Sequence, residues 1–311
     1  YVSVAGLDGI KNNELYINNG DNTFTESAKD YGIDDIGNSV QATFFDYDKD
    51  GDLDLYVANY PITPFDAPRS YYFYKMQNTD DYETDNLYRN DGSSFTRVTE
   101  EAGLRTYGLT LSATIGDLNN DSYPDIYISN DFSSPDFMYM NNGDGTFSDV
   151  VKETTNQTSF YGMGVDIADF NNDSYLDYIQ VDMDAKDNRR SKANMASMNP
   201  DLFWSTVNYG FHYQYMHNTL QLNRRIQGDK PFFSNISRLS GISSTDWSWG
   251  PLLADLDNDG WKDLFISNGI RREINHRDFF NDIKLRPMSN DSLLYYTEQM
   301  PSEAIANFTF K

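Results

Sequence analysis

Four copies of an acidic nonapeptide carry the clearest chemistry in this sequence. Each copy follows the frame D-x-[DN]-x-D-x-x-x-D, so that oxygen-bearing side chains recur at positions 1, 3, 5 and 9. Together with the backbone carbonyl at position 7, these side chains can surround a hard cation of the size of Ca²⁺. Without a cation, three or four carboxylates within a few ångströms would repel one another. We therefore predict about four structural calcium sites.

The predicted ligands follow one scheme in all four loops, with side chains at four positions and a main-chain carbonyl at position 7. They are Asp46, Asp48, Asp50, Asp52 and Asp54; Asp117, Asn119, Asp121, Tyr123 and Asp125; Asp169, Asn171, Asp173, Tyr175 and Asp177; and Asp255, Asp257, Asp259, Trp261 and Asp263. The frame lacks the bidentate glutamate of an EF-hand, and a flexible cage of this kind favours Ca²⁺ over Mg²⁺. The alternative is a set of metal-free acidic turns.

Strands must position these loops, because each loop lies between two short apolar runs. A second motif, of the type Leu-Tyr-x-Asn-Asn-Gly, alternates with the loops. Clear copies lie at 15–24, 87–95 and 138–147, with a looser copy at 220–233 and a shortened one at 307–310. Asn-Gly or Asp-Gly between apolar runs is a strong hairpin signal. Two hairpins make four antiparallel strands, which is the composition of a propeller blade.

The predicted fold class is therefore all-β, a single β-propeller over residues 1–311 with partly helical insertions, forming part of a larger ring. The predicted blade units are 1–30 (partial), 39–101, 110–155, 160–237 and 247–311 (truncated). The acidic frames are spaced more widely than a four-stranded blade requires, which places insertions at 60–85, 183–217 and 269–305. A complete five-bladed ring is the alternative. Insertions on a repeat scaffold usually gather on one face and often carry binding.

Composition excludes several functional classes. The formal net charge is −24, which argues against a nucleic-acid partner, and no apolar run is long enough to span a membrane. Without cysteine there is no disulfide, thiolate zinc site or cysteine nucleophile. The acidic residues comprise 39 Asp but only 9 Glu, a bias that is typical of turns and oxygen-rich loops. Four bound Ca²⁺ would change the formal charge from −24 to −16.

The middle insertion supplies the candidate ligand or partner surface. These residues combine a basic pair with an aromatic cluster: Arg189, Arg190, Trp204, Tyr209, Phe211, Tyr213 and Tyr215. The alternatives are internal pairing of the arginines with nearby aspartates and packing of the aromatic residues onto the propeller. The three histidines show no metal or catalytic spacing, and no nucleophile elbow or phosphate loop is present. We predict no catalytic residue and a non-enzymatic protein.

These motifs resemble the FG-GAP/VCBS repeat, which forms the blades of integrin α-like propellers. Tyr161-Gly-Met-Gly164 and Trp249-Gly-Pro251 stand where that repeat has its Phe-Gly and Gly-x-Pro elements. The segments 215–223 and 245–250 are similar to large VCBS-repeat proteins of Bacteroidota, which often carry an ASPIC/UnbV domain and are similar to cartilage acidic protein. The resemblance implies an exported, calcium-binding protein at the outer-membrane surface, anchored by lipid through a missing N-terminus. It also implies assembly with SusC/SusD-type importers.

The sequence thus predicts a calcium-binding surface module that binds or scaffolds a protein partner or a glycan at its insertion-bearing face. The competing class is an enzyme, such as a calcium-containing propeller polysaccharide lyase. An enzyme would require Arg, Lys, His or Tyr side chains to converge in the central cleft. A third possibility is a purely structural blade set within a large surface assembly, which would present an extended interface instead of a cleft.

Overall fold

The computed structural model describes residues 1–6, 12–64, 67–193, 199–284 and 290–311. The remaining parts of the predicted first blade unit and of the three insertions lie outside the described residues. Within the described residues, short antiparallel strands dominate and the helices are few and short. The all-β prediction is therefore confirmed.

Four four-stranded sheets form the body of the molecule. The first contains β3–β6, at Ser39–Phe45, Asp54–Asn59, Asn86–Asn90 and Phe95–Arg97. The second contains β7–β10, at Thr110–Gly116, Asp125–Asn130, Phe137–Asn141 and Phe147–Asp149. The third contains β12, β13, β16 and β17, at Val165–Ala168, Asp177–Gln180, Thr219–Gln227 and Lys230–Asn235. The fourth contains β14, β18, β19 and β20, at Met183–Asp184, Asp246–Ala254, Asp263–Asn268 and Phe308–Phe310. Because β14 is an added edge strand, β18, β19 and β20 are counted as the first, second and third strands of this sheet.

Two smaller pairs of strands accompany these sheets. At the start of the chain β1 (Tyr16–Asn18) pairs with β2 (Phe24–Glu26), and Val2 forms a bridge to Glu14. Strands β11 (Thr158–Ser159) and β15 (Gln214–Tyr215) form a parallel pair.

Seven short helices lie in the described connections. They are α1 (Ala28–Tyr31), α2 (Arg69–Gln77), α3 (Val151–Thr154), α4 (Asn188–Ala193), α5 (Pro200–Asn208), α6 (Arg277–Ile283) and α7 (Asn290–Gln299). Five of them, α2 and α4–α7, belong to the three predicted insertions.

The sheets are arranged like the blades of a propeller, with their first strands side by side. Strand β7 lies between β3 and β12, and β12 lies between β7 and β18. The side chain of Gln41 bridges the first two sheets, because its Oε1 accepts the backbone N–H of Ala113 at 2.9 Å and its Nε2 donates to the Ala113 carbonyl at 3.0 Å. The described residues form a propeller-like array and no closed barrel.

The hydrophobic core lies between successive sheets. Buried Tyr56 and Leu87 of the first sheet share one cluster with Ile126 and Phe137 of the second. Between the second and third sheets, the rings of Tyr127 and Tyr178 are 4.5 Å apart. Each sheet therefore buries its faces against its neighbours, which accounts for the nearly uninterrupted apolar runs in the second strands.

A repeated side-chain hydrogen bond fixes the second and third strands of each sheet. The residue before the third strand accepts the backbone N–H of a residue at or just beyond the end of the second strand, at 2.7–2.8 Å. The accepting residues are Asp85, Asp136, Asn218 and Asn307. Asn13 makes the equivalent bond to Val4 at 2.7 Å. One short polar side chain per repeat therefore holds a backbone group that the sheet ladder leaves unpaired.

Glycine is required beside this hydrogen bond because the neighbouring asparagine occupies the space of a side chain. A Cβ at Gly37 would lie 2.5 Å from the Asn59 side chain, and one at Gly108 would lie 2.4 Å from that of Asn130. Both asparagines are buried and donate to a main-chain carbonyl in the connection before the third strand. These glycines thus make room for a polar contact inside the blade.

The loops that connect the strands lie at the two opposite ends of each sheet. The four acidic frames connect the first strand of a sheet to the second, at β3–β4, β7–β8, β12–β13 and β18–β19. The three insertions follow β4, β13 and β19, which places them at the opposite end of the sheets. The insertions therefore share one end, and the acidic loops share the other.

Candidate functional site

The four acidic loops adopt one backbone conformation. Position 4 is left-handed in each, with φ of 57–63° at Lys49, Asn120, Asn172 and Asn258. Position 6 is left-handed as well, with φ of 72–95° at Gly51, Ser122, Ser174 and Gly260. Serine therefore adopts in the middle loops the conformation that glycine adopts freely in the outer two.

Backbone N–H groups turn the acidic side chains toward the centre of each loop. In the first loop, Asp46 accepts the N–H of Gly51 at 3.1 Å, and Asp50 accepts the N–H of Asp52 at 2.9 Å. The same two contacts recur in the other three loops at 2.8–3.0 Å. The loops are therefore built to hold carboxylates in one place.

The first and fourth loops bring three carboxylates together. Ligand oxygens of Asp46, Asp48 and Asp50 lie within 4.8 Å of one another, as do those of Asp255, Asp257 and Asp263. Burial and the neighbouring charges of Asp50 and Asp46 raise the pKa of Asp48. The Oδ1 atom of Asp46 is buried and has no hydrogen-bond partner among the described residues. An unpaired buried oxygen in a group of carboxylates fits a divalent cation.

The middle loops carry less charge, because position 3 is asparagine. The Asn119 amide donates to Asp121 at 2.8 Å, and the Asn171 amide donates to Asp173 at 3.3 Å. These amides partly offset the negative charge that a cation would otherwise neutralise. In the fourth loop Lys311 contributes a similar effect through ion pairs with Asp257 and Asp259.

The aspartate at position 9 ties each loop to the blade. Asp125 is fully buried, and it accepts the N–H groups of Leu118 at 2.8 Å and Asn141 at 2.9 Å. Burial raises its pKa to about 7, and burial likewise raises that of Asp54 to about 6 and that of Asp177 to about 7. This aspartate therefore joins the acidic loop to the third strand, a structural task beyond its predicted role as a ligand.

Neighbouring acidic loops also contact one another. The ammonium of Lys49 lies 4.5 Å from the ring centroid of Tyr123, which joins the first loop to the second. The Asn120 amide donates to the Ser174 carbonyl at 3.0 Å, and the Asn172 amide donates to the Gly260 carbonyl at 3.0 Å. The four loops thus form a continuous row at one end of the molecule.

A cavity of about 500 Å³ lies at the other end, where the insertions are. Its volume is within the range of about 300–1,000 Å³ that is typical of ligand sites. Its lining is mostly apolar and aromatic: Tyr60, Leu111, Asp131, Phe132, Tyr161, Met163, Met183, Met216, Trp247, Trp249, Ile274, Asn275 and Arg277.

The repeats build much of this cavity from two equivalent positions. Leu111 and Trp249 lie at β-bulges near the start of the first strands β7 and β18, and Met163 lies just before the first strand β12. Tyr60, Asp131 and Met183 come just after the second strands β4, β8 and β13. The third insertion adds Ile274, Asn275 and Arg277. The positions of these residues relative to the repeated motifs could have predicted the cavity lining. That prediction would also have required the arrangement of the blades around a common axis.

Two of the lining residues with polar side-chain atoms, Asp131 and Trp247, are buried. Asp131 is 7% exposed, and it accepts the Tyr60 hydroxyl at 3.2 Å and the backbone N–H of Phe132 at 2.8 Å. Burial raises the pKa of Asp131 to about 6. Trp247 is 4% exposed, and its buried indole N–H has no hydrogen-bond partner in the described part of the chain. The buried polar groups of the lining residues are therefore one carboxylate acceptor and one unpaired indole donor, whereas Asn275 and Arg277 are exposed.

The arginines of the predicted ligand surface are held by acidic side chains. Arg190 is buried and forms ion pairs with Asp246 at 2.7 Å, Glu273 at 2.7 Å and Glu303 at 3.0 Å. Arg189 is exposed and also pairs with Glu303. These acids lie 56–114 residues further along the chain, so the pair joins the second insertion to the fourth sheet and the third insertion.

The aromatic residues of that predicted surface lie around α5. Phe211 is buried in a cluster with Tyr72, Tyr107 and Leu109. The rings of Phe203 and Tyr215 lie 5.1 Å apart, and Tyr209 lies against Phe73 at 5.7 Å. Trp204 and Tyr213 are the most exposed members. The cavity lining includes none of the seven predicted surface residues.

Each of the three histidines makes a hydrogen bond within the fold. His212 contacts the Thr155 hydroxyl at 3.1 Å, and His217 contacts the Gln157 amide at 3.1 Å. Burial lowers the pKa of both. His276 caps helix α6, where its Nδ1 accepts the backbone N–H of Phe279 at 3.2 Å. None of the three lines the cavity as described.

Comparison with known proteins finds a known repeat in two stretches of the chain. Residues 2–57 and 117–179 match the FG-GAP-like repeat. The chain therefore carries FG-GAP-like repeats, as the motifs predicted, within a propeller-like array of four-stranded sheets. No helix in the described residues combines the length and the apolar character that a membrane crossing requires.

The curated relatives include cartilage acidic protein 1. The protein from Xenopus tropicalis is 24% identical over 200 residues, and the match covers 55% of this chain and 31% of the relative. The protein from Homo sapiens is 25% identical over 202 residues, covering 55% of this chain and 30% of the relative. The matched region thus spans under a third of these relatives. A solved structure on recognition of non-reducing terminal N-acetylglucosamine by an Agrocybe aegerita lectin covers 83% of this chain and 69% of that chain, at 15% identity and a TM-score of 0.33.

Proposed function

We propose that the chain is a calcium-stabilised binding module that holds its ligand or partner at the insertion-bearing end. The observation that carries this proposal is the cavity of about 500 Å³, which residues from neighbouring blades and the third insertion line together. Repeat propellers commonly place variable insertions around such a shared central site. The acidic loops at the far end are separate from the site and support the scaffold.

Calcium would be held by the side chains at positions 1, 3, 5 and 9 of each acidic loop, with the position-7 carbonyl as a further ligand. A bound ion supplies positive charge that neutralises the carboxylates and fixes the hairpin between the first and second strands. The close oxygens of Asp46, Asp48 and Asp50 and the unpaired oxygen of Asp46 support this assignment. The role of the ion is structural, because the loops are remote from the cavity.

We further propose an extracellular location at a bacterial outer-membrane surface. Calcium sites in extracellular modules bind the ion with millimolar dissociation constants, and structural calcium sites of the kind proposed here suit such a location. The resemblance to exported VCBS-repeat proteins supports this location. The same resemblance supports two further parts of the proposal, a lipid anchor and a SusC/SusD-like importer as the assembly partner. The bound ligand is a protein partner or a glycan.

The binding proposal can be tested by filling the cavity. Leu111→Trp adds a large ring to the lining, whereas Leu239→Trp adds the same ring at a side chain that is 87% exposed. The immobilised wild-type chain and both variants are compared in calcium for retention of proteins from solubilised source membranes and of glycans on an array. We expect the wild type and Leu239→Trp to retain the same ligand and Leu111→Trp to retain at least tenfold less. Equal retention by Leu111→Trp, at an equal melting temperature, would exclude the cavity as the binding site.

An enzyme is the second candidate, because Tyr60, Asp131, Tyr161 and Arg277 meet in the cavity. A lyase would need one of them as a base. Burial, followed by the charge of Asp131, raises the pKa of Tyr60, which disfavours the ionised phenolate. The apolar lining also suits binding better than the hydrolysis or elimination of a polysaccharide. Release of unsaturated uronate from acidic polysaccharides, followed by ultraviolet absorbance and lost in Tyr60→Phe, would favour the enzyme.

A further inference from the structure

We infer that the cavity accepts an apolar side chain of a peptide together with the adjoining peptide group. This inference rests on the proposed binding function and chooses between the two ligand classes named there. It follows from what lines the cavity, from the pairing of its polar groups and from its charge.

The aliphatic and methionine part of the lining suits an apolar side chain better than a saccharide. Met163, Met183 and Met216 contribute to it together with Leu111 and Ile274. Sugar hydroxyls that are buried against such groups would lose hydrogen bonds to water without replacement. Methionine is flexible and polarisable, and it adapts to apolar side chains of different shapes. An apolar amino-acid side chain therefore fits this lining.

The two buried polar groups of the cavity match a peptide group. Trp247 has a buried indole N–H with no partner among the described residues, and a buried unpaired donor is costly. A ligand carbonyl would satisfy that donor. Asp131 accepts two hydrogen bonds, and a carboxylate can accept about four, so it has capacity for a ligand N–H. A peptide group carries one carbonyl and one N–H.

The charge of the lining favours an uncharged segment. Asp131 is the one carboxylate in the lining and Arg277 is the one cationic side chain, as far as the described residues show. Their formal charges cancel when both groups are ionised. An acidic saccharide would meet a buried carboxylate without a surplus of positive charge to offset it. A neutral side chain such as leucine or tryptophan meets no such conflict.

Methionine methyl NMR tests this directly, because three of the ten methionines line the cavity. The calcium-loaded chain is labelled with ¹³C at the methionine methyl groups, and single Met→Leu variants assign the three resonances. The probes are N-acetyl-L-leucine amide, N-acetyl-L-tryptophan amide, and N-acetylglucosamine with its short oligomers. We expect both amides to shift the resonances of Met163, Met183 and Met216 and the saccharides to leave them unchanged.

A second variant tests the assigned donor. Trp247→Phe keeps an aromatic ring and removes the N–H, so we expect the folded variant to bind both amides about fivefold more weakly. Leu239→Trp serves as the control and should bind the amides like the wild type. Unchanged affinity in Trp247→Phe would overturn the role of the indole N–H.

The two proposals fail in different ways. If saccharides shift the three resonances and the amides do not, the peptide inference is wrong while the cavity remains a binding site. If none of the probes shifts them, the peptide inference is also overturned. Failure of the binding proposal is seen separately, when Leu111→Trp retains the natural ligand as well as the wild type does.

Discussion

Asp85 and Asp136 are buried carboxylates that lie directly before a third strand and accept a backbone N–H from the end of the second. The equivalent residues of the third and fourth sheets are Asn218 and Asn307, which make the same contact with a neutral amide. Asp85 also accepts hydrogen bonds from the hydroxyls of Tyr56 and Thr110. At the residue scale, all four sheets therefore have this hydrogen bond in common, whereas only two of them use a negatively charged side chain to make it.

Replacing Asp85 by asparagine should change the pH dependence of stability. Burial raises the pKa of Asp85 to about 7 from an ordinary value of 3.8. Between these values the folded chain binds a proton that the unfolded chain lacks, so this group contributes stability that is lost as the pH rises toward 7. The free energy of unfolding should fall by up to about 1.4 kcal/mol per pH unit from this group alone.

Urea unfolding of the wild type and of Asp85→Asn from pH 4.5 to pH 7.5, in excess calcium, measures this effect. We expect the variant to gain stability relative to the wild type as the pH rises, because the asparagine has no proton to lose. The exposed Asp30→Asn should follow the wild type. Parallel stability curves for Asp85→Asn and the wild type would show that Asp85 titrates normally.

At the scale of the elements, an asparagine of the third strand joins one blade to the next. The Asn141 amide donates to the Pro124 carbonyl of its own loop at 3.2 Å and to the Tyr47 carbonyl of the preceding loop at 2.8 Å. Asn223 repeats this arrangement with Leu176 and Leu118. The asparagine of the hairpin motif therefore forms hydrogen bonds with the acidic loop of its own blade and with that of the preceding blade.

Asn141→Ala should destabilise the chain more than Asn90→Ala. The Asn141 side chain is buried and reaches two blades, so its loss leaves buried carbonyls unpaired at a cost of about 1–3 kcal/mol. Asn90 is the matched control, because its amide reaches only the Leu53 carbonyl of its own blade in an exposed contact. Differential scanning calorimetry in calcium compares the two variants. A loss in Asn90→Ala that equals or exceeds the loss in Asn141→Ala would contradict the coupling between blades.

The strands could be predicted from the sequence where a short motif marks them. The acidic frame and the Asn-Gly hairpin each lie within about ten residues, and the structure has strands on both sides of them. The pairing of Arg190 was not accessible in this way, because Asp246, Glu273 and Glu303 are distant in sequence and other aspartates lie closer. The cavity was not accessible either, since Leu111, Met163 and Trp249 become neighbours only when the blades are arranged around an axis.

At the scale of the whole molecule, the two ends differ in chemistry. One end carries a row of acidic loops in mutual contact, and the other carries the insertions and an apolar cavity. The first strands of the blades run between the two ends, and they carry Leu111 and Trp249 of the cavity lining. The proposed calcium ions would then support the binding end from a distance by holding the blades in place.

Calcium binding by the loops should make thermal stability depend strongly on free calcium. A ligand that is present at 100 times its dissociation constant stabilises the native state by about 2.7 kcal/mol per site, and four sites would multiply that effect. For a chain of this size, about 10 kcal/mol corresponds to a shift in melting temperature of more than about 10 °C. Loops one and four should contribute most, because each gathers three carboxylates.

The melting temperature of the purified chain in excess EGTA, compared with that in millimolar calcium, tests this proposal most directly. We predict a fall of more than about 10 °C on chelation, restored by added calcium and only partly restored by magnesium. An unchanged melting temperature would show that the acidic loops are metal-free turns and would contradict the calcium-stabilised module.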